Sequence, residues 1–420
     1  MNLKNSDISS IIDWKPDEMG RIPLSAYVDE DIYKLELERI FYKKHWGYLG
    51  LDAEIPNVGD FKRTVIGERS VIVVRNKEGG VSAFENLCAH RRVQFCRERD
   101  GNRQEFVCPY HQWMYDLEGN LRGLPYRRGL RVDGELRGGM PADFNMSENG
   151  LTKLKVESRN GVVFGSFDHD IESFEDYLGE MMLGYFDRIF NGRKLTILGY
   201  NRQRIPGNWK LMMENIKDPY HAGLLHTWFV TFGLWRADSP ISLKMDTYKR
   251  HAVMAGTRST AAVEASLVSG VQSFKEDMVL KDPSQIDIVP EDWWNGPTVT
   301  MMTLFPALIS QQQVNSLSTR HIQPRGPNSF DFVWTHFGFE DDDKEMTARR
   351  LKQANLFGPS GYVSADDGEV LEFSQMGFHT NPSSTSMAKM GGNDTQDGDC
   401  IATETLIRGM YKYWREVMEV

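Results

Sequence analysis

The chain has 420 residues, of which 40% are hydrophobic and 26% charged, with a formal net charge of −10. That length allows two or three domains, and the acidic balance excludes a basic nucleic-acid footprint. Its four cysteines are too few for a disulfide scaffold of this size.

In chain order, Asp29 to Trp46 reads as helix. Tyr33, Leu37, Ile40, Phe41 and Lys44 fall on one face, and Asp29 or Asp31 is placed to cap the start. From 47 to 160 short β-branched runs ("RTVIG", "VIVVRN", "VSAFEN", "FVCPY") alternate with Gly, Asn and Asp turns, which predicts a compact all-β unit. "GVVFGSF" at 161–167 is a further strand, and "IESFEDYLGEMMLGYFDRIF" a helix. "NWKLMMENIKDPYHAGLLHTWF" reads as an interrupted helix. "TVTMMTLFPALISQQQVNSLSTRHI" and "FDFVWTHFGF" read as sheet, "DDDKEMTARRLKQANLF" as a charged helix, and "FSQMGFHTNPSSTSMAKMGGND" as loop. The expected layout is α+β: an all-β domain at 47–160 inserted in a larger domain made of 1–46 and 161–420. Apolar runs such as "VIVV" at 71–74 are strand-sized, so no membrane span is expected. "MNLKNSDISSIIDW" lacks a basic stretch ahead of an apolar core, so no secretory signal is expected and the cytoplasm is the expected compartment.

Two cysteine–histidine pairs stand out. "CAHRRVQFC" holds Cys88 and His90; "CPYHQW" holds Cys108 and His111, with seventeen residues between His90 and Cys108. Thiolate and imidazole suit zinc or an iron–sulfur cluster. Zinc fingers favour Cys-x2-Cys with a His pair, whereas a Rieske [2Fe–2S] centre takes two Cys on one iron and two His on the other, supplied by two similar loops. The latter pattern is the one present. Cys96 and Cys400 lie outside it and read as small buried hydrophobes.

"ENIKDPYHAGLLH" holds Glu214, Asn215, Asp218, His221 and His226. Histidines five apart are rotated by roughly 140° on a helix of ~100° per residue. They can share a metal only if the helix is distorted or ends between them, and Pro219 and Gly223 make that plausible. Two His and one carboxylate form the facial triad of non-haem Fe(II). The carboxylate must come from elsewhere, and "GPSGYVSADDGEVLEF" offers Asp366, Asp367 and Glu369.

Together the motifs resemble the large (α) subunits of the Rieske non-haem iron aromatic-ring-hydroxylating oxygenases, over nearly the whole chain. Pro109, Tyr110 and Trp113 match that family's second cluster loop. One departure is Arg92, where the family has Gly, which bears on the conformation of the first loop. The resemblance implies an antiparallel sheet flanked by helices (a helix-grip, START-like fold) for the larger domain. It implies a [2Fe–2S] cluster on Cys88, His90, Cys108 and His111, and Fe(II) on His221, His226 and Asp367, with Asp366 the second choice. Asn215 and Asp218 are implied as catalytic-site residues, Asp218 as a carboxylate bridging to the cluster of a neighbouring subunit. Implied partners are a small β subunit, ferredoxin and an NADH-dependent ferredoxin reductase, in a trimer or α3β3 hexamer.

The expected reaction is hydroxylation of an aromatic carboxylic acid with O2, in the first instance salicylate to gentisate. Dihydroxylation of anthranilate or another benzoate-type or terephthalate ring is the alternative. A carboxylate needs a cation, ideally a guanidinium. Arg320, in "VNSLSTRHIQP", is the candidate. Trp228, Phe229, Phe232 and Trp235 are candidate pocket walls or core residues.

Overall fold

The structure, a computed structural model, describes residues 11–15, 17–234, 239–258 and 271–420. The chain divides into two units, Tyr42–Ile171 and a second built from the residues up to Phe41 together with Glu172–Val420. The inserted unit is therefore wider than 47–160. The strand Val162–Ser166, buried along its length, pairs with Lys155–Arg159 and with Gly47–Leu51. Its apolar run suits either unit, and only the strand pairing assigns it.

In the inserted unit, strands Val81–Glu85, Arg69–Arg75, Asp60–Ile66 and Asp100–Asn102 form an antiparallel sheet in that order. A smaller sheet contains Phe106–Val107, Met114–Tyr115 and Leu121–Gly123. Phe61, Phe84, Phe106 and Tyr115 fill the space between them, with Phe106 edge-on to both Phe61 and Phe84. Cys88 and Cys108 each follow closely on a strand of this framework, so their loops start from fixed points.

The larger unit is built on a seven-stranded antiparallel sheet. Its order is Leu195–Ile205, Phe330–Phe339, Ser316–Pro324, Leu308–Gln313, Val299–Leu304, Ala252–Gly256 and Ile241–Met245. Register aligns Thr303, Ile309, Arg320, Trp334 and Asn201 in one row across the sheet. Met301, Gln311, Ser318 and His336 form the next row on the same face. Helices cover that face: Lys217, at the end of helix Trp209–Ile216, donates to Thr303 Oγ1, and Gln203 donates to the Ser364 carbonyl of helix Ser364–Thr380. Helix Phe174–Ile189 lies on the other face, where Arg188 donates to Thr300 Oγ1 and Gln312 Oε1.

A buried carboxylate ties three helices together. Glu36, from helix Glu30–Glu36, accepts from Trp209 Nε1 and Lys210 Nζ of helix Trp209–Ile216 and from Trp414 Nε1 of Thr405–Met418. Its partners are all donors, so the charge is hydrogen-bonded as well as paired.

As expected, Asp29 caps helix Glu30–Glu36, accepting from the amides of Asp31 and Ile32. Several other expectations need correction. After a π-turn at Leu37–Phe41 the helix ends, so Lys44 lies outside it and is exposed. Phe373–Thr380, read as loop, continues helix Ser364–Thr380. Cys96 is buried, but Cys400 is exposed. Among the described residues no helix is long and apolar enough to cross a membrane.

Candidate metal centres and active site

The two cysteine–histidine loops are built alike. The Cys88 amide donates to the Val93 carbonyl and the Arg92 amide to the Cys88 carbonyl; Cys108 with Trp113 and Gln112 with Cys108 repeat both bonds. Each turn closes through a left-handed residue, Arg92 and Gln112, both at φ 55°. The position where glycine was missed thus keeps its glycine-like conformation, which costs a non-glycine residue about 1 kcal/mol. Arg92 also pairs with the buried Glu85 carboxylate at 2.7 Å.

Both sulfurs are buried, whereas His90 is exposed and His111 half-buried. The two rings are 4.6 Å apart, and His90 stacks parallel on Trp113. The Tyr115 hydroxyl accepts from the Ala89 amide, which turns its proton toward Cys88 Sγ at 3.2 Å. Burial pushes the Cys108 thiol above its usual pKa, so its thiolate needs a metal to hold it. No three of these four donor atoms lie within 4.8 Å of one another, as a single tetrahedral ion would require. Two thiols and two imidazoles set apart fit the two ends of a [2Fe–2S] unit.

The second centre lies in the larger unit. Asp218 caps helix Pro219–Leu225, and His226 is at once the C-cap of that helix and the N-cap of Thr227–Thr231, at φ −88° and ψ 95°. The helix ends at the second histidine, so both rings turn inward. Asp367 comes from the first turn of Ser364–Thr380. Its Oδ1 stands 3.3 Å from His226 Nε2 and 3.5 Å from His221 Nε2. His221, His226 and Asp367 are the one group of at least three such ligands that converges among the described residues. Gly361 sets the approach of that last helix: a Cβ there would lie 2.1 Å from the Leu356 carbonyl oxygen.

Each imidazole presents its far nitrogen to a carboxylate. Asp366 Oδ2 is 3.2 Å from His226 Nδ1, and Asp218 Oδ2 is 3.5 Å from His221 Nδ1. That arrangement puts the protons on Nδ1 and leaves both Nε2 lone pairs for a metal. Asp366 thus faces the outer nitrogen of His226, whereas Asp367 faces both Nε2 atoms. Asn215 Nδ2 donates to Asp367 Oδ1 at 3.0 Å. Burial opposes charge on His221, but the Asp218 and Asp367 carboxylates outweigh it and lift its pKa to about 10. Asp367 is itself held below the ordinary carboxylate range: burial opposes this, and the two histidines prevail. The carboxylates that favour a proton on His221 would equally favour a metal cation, so the donor set fits one.

Residues 45–133 match the Rieske [2Fe–2S] domain, and residues 192–420 match the ring-hydroxylating α-subunit catalytic domain. The chain belongs to the ring-hydroxylating oxygenase α subunits. It is a Rieske non-haem iron oxygenase, and its two donor sets suit that family's [2Fe–2S] cluster and mononuclear iron. It is 64% identical to the large oxygenase component of salicylate 5-hydroxylase from Ralstonia sp., over 96% of each chain. It is 40% identical to the anthranilate 1,2-dioxygenase large subunit of Burkholderia cepacia, over 97% of this chain and 95% of that one. Among solved structures, naphthalene 1,2-dioxygenase from Rhodococcus sp. bound to indole superposes with a TM-score of 0.76 at 25% identity, covering 95% of this chain and 94% of the other.

In this oxygenase the sheet face beneath His221, His226 and Asp367 carries polar and apolar side chains side by side. Arg320 is 5% exposed, its guanidinium 4.0 Å over the Trp334 ring. Its Nε has no hydrogen-bond partner among the described residues. Burial lowers its pKa to about 9, against the pull of Asp367. Phe229 packs edge-on against His226, and Trp228 lies between Phe232 and Tyr362; Trp235 lies outside the described residues. An apolar cavity on the same sheet face is lined by Leu234, Ile241, Met254, Val299 and Met301. Sequence reading missed His336 and Asn201. The period-two pattern of "FDFVWTHFGF" placed Trp334 and His336 on one face, and a histidine on so buried a strand was the available signal.

Proposed function

We propose that this chain is the large subunit of a terminal oxygenase that converts salicylate to gentisate: salicylate, O2, two electrons and two protons give gentisate and water. The observation that carries this reading is Arg320, a buried cation on the wall beneath the iron ligands, with its Nε unpaired. A buried guanidinium N–H without an acceptor is costly, and an aromatic carboxylate supplies one. The relative at 64% identity is named for the same reaction.

Arg320 would hold the carboxylate and Trp334 would cover the guanidinium face. The ring then presents the carbon para to its hydroxyl to the open side of the triad. When bound, the [2Fe–2S] cluster at Cys88, His90, Cys108 and His111 supplies electrons, and the Fe(II) at His221, His226 and Asp367 supplies O2 activation. Asn215 steadies the Asp367 carboxylate. Asp218, partly exposed, keeps Oδ2 for His221 and for an imidazole N–H of a neighbouring subunit's cluster. The exposed His90 and half-buried His111 suit such an approach. Ferredoxin and an NADH-dependent reductase would deliver electrons in the cytoplasm, and a small β subunit would complete an α3β3 assembly, or an α3 trimer without it.

Replacing Arg320 with Leu tests this. KM for salicylate should rise by about two orders of magnitude, the scale of a lost charge-assisted pair. KM for salicylamide, which is neutral, should change less than about threefold on the same scale. Equal losses for both would refute the anchor.

A further inference from the structure

His336 lies one row from Arg320 on the adjacent strand: Arg320 pairs with Trp334, and Ser318 pairs with His336. Diagonal neighbours of this kind are roughly 7–8 Å apart, within common reach of one small ring. Both side chains face the helices that carry the iron ligands. His336 is 5% exposed.

Its two nitrogens differ. Nε2 stands 2.8 Å from the Asn201 carboxamide oxygen. An oxygen there accepts, which assigns the ring proton to Nε2 and leaves a lone pair on Nδ1. Nδ1 is buried and has no hydrogen-bond partner among the described residues. Burial and the Arg320 charge lower the ring's pKa to about 4, so at neutral pH it stays an acceptor there.

We propose that His336 determines specificity for the ring substituent beside the carboxylate, with Nδ1 accepting a hydrogen bond from the 2-hydroxyl of the substrate and Asn201 fixing the tautomer. The assignment rests on the substrate reading above and adds to it. Arg320 takes the carboxylate; His336 requires a hydrogen-bond donor next to it. A 2-hydroxyl or 2-amino group meets that requirement. Hydrogen or fluorine at the same carbon does not, and leaves the buried acceptor unpaired, the kind of mismatch that gives strong discrimination.

The test is equilibrium binding of salicylate and 2-fluorobenzoate to the iron-loaded oxygenase, measured by calorimetry on wild type, His336→Phe, His336→Gln and Asn201→Leu. Iron content is checked for each. Wild type should prefer salicylate by about tenfold or more. His336→Phe should erase that preference by weakening salicylate alone. His336→Gln should restore part of it through its carbonyl oxygen, and Asn201→Leu should fall between, because the ring can then carry its proton on either nitrogen. The assignment is overturned if His336→Phe keeps the wild-type preference or weakens both acids equally. It is also overturned if wild type binds both acids with no preference. A wild type that binds neither acid overturns the salicylate reading itself, and the assignment with it.

Discussion

Asp218 uses its two oxygens for different tasks. Oδ1 accepts from the amides of Tyr220 and His221 and caps their helix, while Oδ2 faces His221 Nδ1. Asn caps about as well as Asp, so Asp218→Asn should keep fold and iron. It should nonetheless abolish transfer between centres. In a single turnover of the reduced enzyme with substrate and O2, the cluster should then stay reduced; reoxidation at the wild-type rate would refute the role. Arg92 gives a second prediction at this scale. Glycine suits φ 55°, whereas a β-branched residue there is an outlier. Arg92→Gly should keep full visible absorbance and sulfide content, and Arg92→Val should lose most of both; equal retention would count against a strained loop. The candidate ligands could be picked out of the sequence, because Cys-x-His, Cys-x2-His and the His221–His226 spacing are local patterns. The choice between Asp366 and Asp367 was not local. Neighbours on a helix point ~100° apart, and the phase of Ser364–Thr380 turns Asp367 inward while the Asp366 side chain stays 40% exposed.

Helix Trp209–Ile216 carries charge into the interior at its end. Burial raises the Glu214 pKa from 4.5 to about 7, despite a hydrogen bond from the Tyr411 hydroxyl. Burial lowers that of Lys217 from 10.5 to about 7, against the pull of Asp246. Between pH 4.5 and 7 the folded state keeps a proton on Glu214 that the unfolded chain has lost, so stability falls as pH rises through this window. Between pH 7 and 10.5 the unfolded chain keeps a proton on Lys217 that the folded state has lost, so this contribution rises with pH. Each term is on the order of a few kcal/mol. Glu214→Gln should flatten the fall below pH 7, and Lys217→Met the rise above it. Melting temperature against pH reads both, and unchanged profiles would contradict the buried charges. Elements were legible where pattern and caps agreed, as at Asp29 and in the sheet strands. Helix Ser364–Thr380 was misread beyond Phe373 because Ser374, Gly377 and Asn381 look like loop chemistry, whereas Gln375 accepting from the Asn208 amide and Phe378 packing on Tyr27 anchor the helix there.

At the scale of the whole chain, two metal centres occupy two folding units. The texture change near residue 47 made the insertion legible. Its far boundary was not, because Val162–Ser166 could join either unit until its pairing with Gly47–Leu51 was known. Arg320 could be proposed from the chemistry of a carboxylate, but the row that brings it under the iron ligands is a matter of register between distant strands, which no local pattern carries. Separate units should fail separately. Asp367→Ala should lose one iron per chain and leave the cluster's absorbance and potential intact, and Cys108→Ser should do the reverse, as read by metal and sulfide analysis; joint loss in both variants would contradict independent centres. The most direct measurement is the product. The oxygenase, reconstituted with ferredoxin, reductase and NADH, is given salicylate under oxygen-18 gas. The account predicts gentisate carrying a single oxygen-18 at the new hydroxyl. Catechol, a dihydrodiol, or gentisate with its new oxygen drawn from water would contradict it.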